Sequence, residues 1–142
     1  MTSRRLTLVL LGGLLLAPAG CGTKTIPPPP TPHPVRGKVL LASNQPLHGG
    51  VVTFRPVGDA PDGRYQGWGF PKPDGSFEIT AFSGSSGVAP GKYKVTVGPR
   101  DEGEPRGSNA GSVPKKYWAP ETTPWEVEVQ PGDNDLPPYV LK

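Results

Sequence analysis

Residues 91–97, Gly-Lys-Tyr-Lys-Val-Thr-Val, contain the pattern that decides the fold class. In this segment apolar and polar side chains alternate, with Tyr93, Val95 and Val97 set against Lys92, Lys94 and Thr96. A period of two places successive side chains on opposite faces of a β-strand. The segment therefore predicts a strand with one face in an apolar core and the other in solvent.

The same kind of pattern recurs along the chain, at 35–41, 52–54, 64–70, 76–81, 125–130 and 139–142. After Pro34, no run free of Gly and Pro is longer than the eight residues of 38–45 and 76–83, too short for an ordinary helix. Turn signals separate the segments, and Asp74-Gly75 predicts a tight hairpin. We therefore predict an all-β fold, a single seven-stranded Ig-like sandwich over residues 35–142.

Charge predicts one strand pairing. Lys92 and Lys94 point outward from one predicted strand, and Glu126 and Glu128 point outward from another. If these strands are neighbours, each cross-strand pair of opposite charges contributes about 0.2–1 kcal/mol.

The N-terminus has the order of an export signal. Met1–Arg5 is short and basic, residues 6–16 are almost wholly apolar, and small residues lead to Cys21. The apolar part is shorter than the roughly 20 residues that a membrane-spanning helix needs. We predict a signal peptide over residues 1–20.

The cut site has two interpretations. Residues 18–21, Pro-Ala-Gly-Cys, resemble a bacterial lipobox, although Pro18 stands where leucine is usual. This resemblance implies that Cys21 is acylated and becomes the first residue. Residues 17–19, Ala-Pro-Ala, fit instead the cut of an ordinary secretory signal, which would leave a free thiol at Cys21.

Residues 21–34 form a predicted proline-rich linker. Proline fixes φ and removes the backbone donor, so the run 27–30 favours an extended polyproline II spacer. His33 lies between two prolines and is expected to be solvated.

Several short motifs resemble carboxypeptidase-regulatory-like, transthyretin-like domains. They are Gly-Lys-Val-Leu at 37–40, Gln-Pro-Leu at 45–47 with Gly49, Val-Val-Thr-Phe at 51–54, Pro-Asp-Gly-Ser-Phe at 73–77 and Pro-Gly-Lys-Tyr-Lys-Val-Thr-Val at 90–97. The likeness spans most of 35–142 and is greatest to small lipoproteins of planctomycete-type bacteria. It implies a transthyretin-like sandwich with a non-catalytic role and supplies no active-site residues.

The residues themselves also favour a protein that is not an enzyme. His48 falls in a turn and is expected at the surface, and no His, Cys or carboxylate cluster has the spacing of a zinc site. Residues 133–135, Asp-Asn-Asp, favour a turn in which these side chains bond their own backbone, with calcium as the alternative. We predict no metal and no cofactor. The polar segment Asp101–Gly111 is expected to be a solvated, mobile loop.

Aromatic residues are the remaining candidates for ligand binding. Trp125 keeps the alternation of Val127 and Val129, which predicts a core position. Tyr117 and Trp118 lie outside any predicted strand and are expected to be exposed, and Trp68 lies on a glycine-rich strand. Tyr117, Trp118 and Trp68 are therefore the candidate ligand-binding residues.

Together these features predict an exported protein, lipid-anchored to the outer or cytoplasmic membrane and facing the periplasm or the cell surface. Its function is predicted to be structural, or interaction with an envelope protein; the alternative is carbohydrate or peptidoglycan binding through exposed Trp and Tyr. The chain has a formal net charge of +3, and the predicted signal peptide contains two of its positive residues, Arg4 and Arg5. The remainder is nearly neutral, which disfavours nucleic acid as a partner.

Overall fold

The computed structural model describes residues 30–58 and 65–142. The predicted signal peptide (1–20), Cys21 and most of the proline-rich linker lie outside the described residues. Within the described part the structure is mostly β and is arranged in two sheets, which confirms the all-β part of the prediction. Its 3-10 helices are the single turns Ala110–Ser112 and Lys115–Tyr117. None of the helices in these two ranges is long and apolar enough to cross a membrane.

The strands of the described residues are numbered in chain order. They are β1 (Val35–Leu40), β2 (Val51–Pro56), β3 (Gly67–Gly69), β4 (Ser76–Glu78), β5 (Thr80–Ala81), β6 (Gly91–Gly98), β7 (Glu126–Val129), β8 (Asn134–Asp135) and β9 (Tyr139–Val140).

The small sheet is built around β1. Strand β4 pairs with β1 in antiparallel fashion, and the short strands β8 and β9 pair with β1 in parallel. Strand β8 was not predicted from the sequence. The backbone N–H of Asn134 donates to the Pro34 carbonyl, so a segment that resembles a turn supplies the parallel bridge.

The large sheet has the order β5-β3-β2-β6-β7, with every pair antiparallel. The pairing of β6 with β7 places Lys92 opposite Glu128 and Lys94 opposite Glu126. Lys94 Nζ lies 3.2 Å from Glu126 Oε2. The predicted neighbourhood of these two strands is confirmed.

The apolar core lies between the two sheets. The ring of Phe54 on β2 lies 6.4 Å from that of Phe77 on β4 and 6.0 Å from that of Tyr93 on β6, measured between centroids. The Phe77 ring covers Gly37, its register partner on β1, where an added Cβ would lie 2.5 Å from the ring Cζ. Phe77 therefore fills the space that a larger residue at Gly37 would need.

The predicted strand 76–81 is wrong as a single strand, because it is divided between the sheets. Ile79 is the corner: its N–H donates to the Val35 carbonyl of the small sheet, and its carbonyl accepts from Gly87. After Ile79 the chain pairs with β3 in the large sheet as β5. Burial of Ile79 at the end of the core holds this corner.

The hairpin predicted at Asp74-Gly75 is wrong for a related reason. The turn itself forms, since Gly75 has φ +81° and its N–H donates to the Lys72 carbonyl. The strands on either side, β3 and β4, belong to different sheets. This turn therefore carries the chain from the large sheet to the small one.

His33 is not the solvated spacer residue that was expected. Its backbone exchanges two hydrogen bonds with Val88, and its Nδ1 accepts a hydrogen bond from the Gly132 N–H at 3.0 Å. The end of the linker is thus fastened to the body of the domain. This attachment lies where β1 begins, at the same end as the Ile79 corner.

Candidate ligand-binding face

Two glycines on β3 direct its tryptophan outward. A side chain at Gly67 would collide with Val88 and Ile79, and an added Cβ at Gly69 would lie 2.5 Å from the Glu78 carbonyl oxygen. Both positions thus face the core at close range. Trp68, between them, must point to the outer face of the large sheet, beside Thr53 and Thr80.

Other aromatic side chains lie on the same outer face. Phe82 is 68% exposed, Phe70 47% and Trp118 42%, while Trp68 is half-buried. The Trp68 and Phe82 rings meet edge to face with centroids 5.9 Å apart, and the Arg100 guanidinium lies 4.0 Å above the Phe70 ring. Trp68, Phe70, Phe82 and Trp118 are called the aromatic face below. Grouped exposed aromatic side chains of this kind are typical of interaction sites.

Phe70 and Phe82 belong to this face but were not predicted from the sequence. Phe70 has the same parity as Trp68, and Phe82 the same parity as Thr80 on β5. This alternation could have placed Phe70 on the same face as Trp68, and Phe82 on the same face as Thr80. Alternation alone was not sufficient, because it groups residues by face and does not tell which face lies against the core.

Trp118 is held in place on two sides. Its indole Nε1–H donates to the Val113 carbonyl at 3.1 Å. Its ring lies against Gly98 of β6, where an added Cβ would be 3.4 Å from the ring Cγ. The expectation that Trp118 is exposed is confirmed, and the exposed part is apolar ring because the N–H already has a partner.

Tyr117 is buried, and the expectation that it is exposed is wrong. Only 2% of it is accessible, and its ring stacks on Trp125 with centroids 4.4 Å apart. Its hydroxyl accepts a hydrogen bond from the Lys142 N–H at 3.0 Å. Trp125 also contacts Tyr139 at 4.8 Å, so it packs against the core as predicted. Tyr117 has no surface to offer a ligand.

A shallow cleft of about 290 Å³ lies beside Trp118. Its floor and rim are mainly polar and come from β2, β6 and the segment after β6, including Thr53, Arg55, Thr96, Asp101 and Trp118. Thr53 and Thr96 are register partners on adjacent strands. The cleft thus combines one exposed indole with hydroxyl groups and charges of both signs.

The Asp101–Gly111 segment borders this cleft and is fastened rather than merely solvated. Glu104 Oε1 accepts hydrogen bonds from the Gly50 N–H and the Ser108 hydroxyl, both at 2.6 Å, and Oε2 accepts one from the Arg100 N–H at 2.8 Å. Partial burial would raise the pKa of Glu104. These hydrogen bonds and the nearby Arg100 charge outweigh that effect and hold the pKa below its usual value.

Both histidines of the described part of the chain, His33 and His48, are half-buried. His48 is half-buried rather than at the surface, and its Nε2 is shielded from solvent without a hydrogen-bond partner. Across residues 30–58 and 65–142, no three His, Cys, Asp or Glu side chains lie close enough to hold a metal ion. Asn134 uses its amide to donate to the Gln130 and Gly132 carbonyls, the backbone bonding predicted for this turn.

No protein-family model matches the chain, and no curated protein or solved structure is significantly similar to it. The resemblance to carboxypeptidase-regulatory-like domains therefore stays a prediction.

Proposed function

We propose that the protein is a lipid-anchored, non-catalytic binding module of the bacterial cell envelope, with Cys21 as its attachment point. The observation that carries the binding role is the aromatic face, where exposed Phe82, Phe70 and Trp118 lie on the outer surface of a single sheet. Leaving large aromatic side chains in water forgoes the stabilisation that burial would give. A partner that covers them would recover it.

The position of the linker supports a role at a membrane surface. His33 joins the domain at the end where β1 begins. The strand registers place Val51 and Gly98, and with them Trp118, at the opposite end of the large sheet. A tether that enters beside His33 would leave Trp118 facing away from the lipid. We also propose that the two sheets form a transthyretin-like sandwich, as the sequence resemblance implies.

The attachment is tested by the intact mass of the protein from isolated membranes, beside a Cys21→Ser variant. We expect the wild-type chain to begin at Cys21 and to carry acyl groups, which hold a protein stably on a bilayer when two or more are present. The variant should lack this added mass. A wild-type chain that begins at Gly20 with a free thiol would contradict the anchor.

The binding role is tested by photo-crosslinking in intact cells. A photoreactive amino acid at Phe82 samples the aromatic face, and one at Glu78 on the small sheet is the matched control, since the Glu78 side chain is 61% exposed. We expect adducts from position 82 and none from position 78. Equal adducts from both positions, or none, would contradict a specific face.

A second candidate function is carbohydrate or peptidoglycan binding. One observation favours it over a role limited to protein contacts: the exposed ring of Trp118 borders a cleft with polar walls.

A further inference from the structure

The cleft beside Trp118 has an apolar surface and polar groups, which match the two kinds of surface of a sugar ring. A pyranose presents C–H groups on its faces and hydroxyl groups around its rim. The exposed indole of Trp118 offers an apolar surface with a negative π-face, which attracts C–H groups. Its hydrogen bond to Val113 fixes its orientation, so little conformational entropy is lost when a ligand stacks on it.

The polar groups of the cleft suit the rim of such a ring. Asp101 offers carboxylate acceptors, Arg55 offers donors in a planar fork, and the hydroxyl of Thr53 both donates and accepts. A sugar hydroxyl needs both kinds of partner. A purely apolar protein surface would leave these groups without partners on burial, which is costly.

The strand register extends the surface beyond one ring. Trp68 stands opposite Thr53, and Thr53 stands opposite Thr96 on β6. The Trp118 ring lies on Gly98, two residues along β6 from Thr96, so about 12 Å separates Trp68 from the backbone beneath Trp118. Phe82 continues the line past Trp68 at 5.9 Å. This length fits several sugar rings in a chain.

We infer that the outer face of the large sheet binds a β-linked oligosaccharide, which crosses the strands with one ring on Trp118 and another on Trp68. Equatorial β-linkages give the flat chain with exposed C–H faces that two separated aromatic side chains can stack against. The inference deepens the proposed function and rests on its binding face.

The test uses the full chain purified from membranes in a detergent without sugar headgroups. Cellohexaose and the hexamer of N-acetylglucosamine are titrated while tryptophan fluorescence is followed, with glucose as the single-ring comparison. We expect at least one hexamer to bind and to do so at least about tenfold more tightly than glucose, because two aromatic side chains are engaged. The two hexamers distinguish a plain hexose chain from an acetylated one.

Variants assign the site. Trp118→Ala should weaken binding about tenfold, the usual size of one aromatic contact. Thr53→Val keeps the shape of the side chain, removes its hydroxyl, and should weaken binding about threefold to tenfold. Glu78→Ala on the small sheet is the control and should leave the affinity unchanged. Circular dichroism and thermal unfolding of each variant show that it is folded.

Each outcome decides the inference. Saturable binding that Trp118→Ala and Thr53→Val weaken supports it. No response to either hexamer up to about 10 mM, or binding that neither variant changes, overturns it. If cross-links from position 82 persist while both hexamers fail to bind, the carbohydrate inference is wrong and the proposed binding face stands. If cross-links and binding both fail, the proposed binding face is wrong as well.

Discussion

Oε1 of Glu104 lies 2.6 Å from the backbone nitrogen of Gly50, 54 residues earlier in the chain. Gly50 adopts φ +73°, a conformation that favours glycine, and its carbonyl accepts a hydrogen bond from Arg100 Nε at 2.9 Å. At Gly50, two hydrogen bonds thus join the connection between β1 and β2 to the segment after β6. This tie supports the rim of the cleft at Asp101.

Replacement of Glu104 by glutamine should lower the free energy of unfolding. The amide has one acceptor oxygen where the carboxylate has two. At least one of the hydrogen bonds from the N–H groups of Gly50 and Arg100 is therefore lost or weakened. Because the side chain is exposed to solvent, we expect a loss of about 1 kcal/mol. Urea unfolding at neutral pH measures it. Glu102→Gln on the same loop is the control, and identical midpoints for the two variants would contradict the tie.

The stabilisation from Glu104 should depend on pH in a defined direction. The pKa of Glu104 is lowered in the fold, so the folded state binds its proton less readily than the unfolded chain does. The contribution is fully present above the unfolded value near 4.5 and is lost as the pH falls through the lowered folded value. Urea unfolding is measured from pH 7 to below 4. The difference in free energy of unfolding between the wild type and Glu104→Gln should become smaller as the pH falls. A difference that is constant with pH would rule out this linkage.

The two charge pairs between β6 and β7 should differ in strength. Lys94 and Glu126 form an ion pair at 3.2 Å, while Lys92 and Glu128 are register partners without such a contact. Double-mutant cycles to alanine should give a coupling of about 0.5 kcal/mol for the first pair and a smaller value for the second. High salt should reduce the first coupling. Equal couplings would mean that register alone, and not the contact, sets the energy.

Alkaline pH should destabilise the protein through Tyr93 and Tyr139. Burial raises the pKa of Tyr93 to about 12, with a further contribution from Tyr65, and burial raises the pKa of Tyr139 to about 12. Their stabilisation is complete below the unfolded value near 10 and falls as the pH approaches 12, by on the order of 2 kcal/mol for each residue. Tyrosinate absorbance of folded and urea-unfolded protein measures the difference. Tyr93→Phe should remove part of the tyrosinate absorbance that appears above pH 10. If all tyrosines of the folded wild-type protein titrate near pH 10, the raised pKa values are wrong.

Alternation in the sequence was sufficient to locate β1, β6 and β7. In β6 and β7 every second side chain meets the core, and in β1 Val35 and Val39 do so on either side of Gly37. The charges on β6 and β7 added their pairing. Alternation failed at 76–81, because a strand that changes sheets at Ile79 keeps its parity while its pairing partners change.

The candidate site was predicted in part. Trp118 is exposed as expected, and Trp68 lies on the outer face, since Gly67 and Gly69 take the positions against the core. The burial of Tyr117 was beyond reach because it depends on Trp125 and on the Lys142 backbone, contacts that no local pattern encodes. Likewise, the link from His33 to Val88 joins segments that only the folded chain brings together.

Because β1 pairs in parallel with β8 and β9, the small sheet cannot be completed before the C-terminal strands are present. The Asn134 amide contacts the Pro34 carbonyl across 100 residues of sequence. Until residues 134–140 have been synthesised and delivered, β1 lacks its partners on that side, and contacts so distant in sequence form slowly. Under the export proposed above, a chain that crosses the membrane N-terminus first would leave this side of β1 unpaired until its last strands emerge.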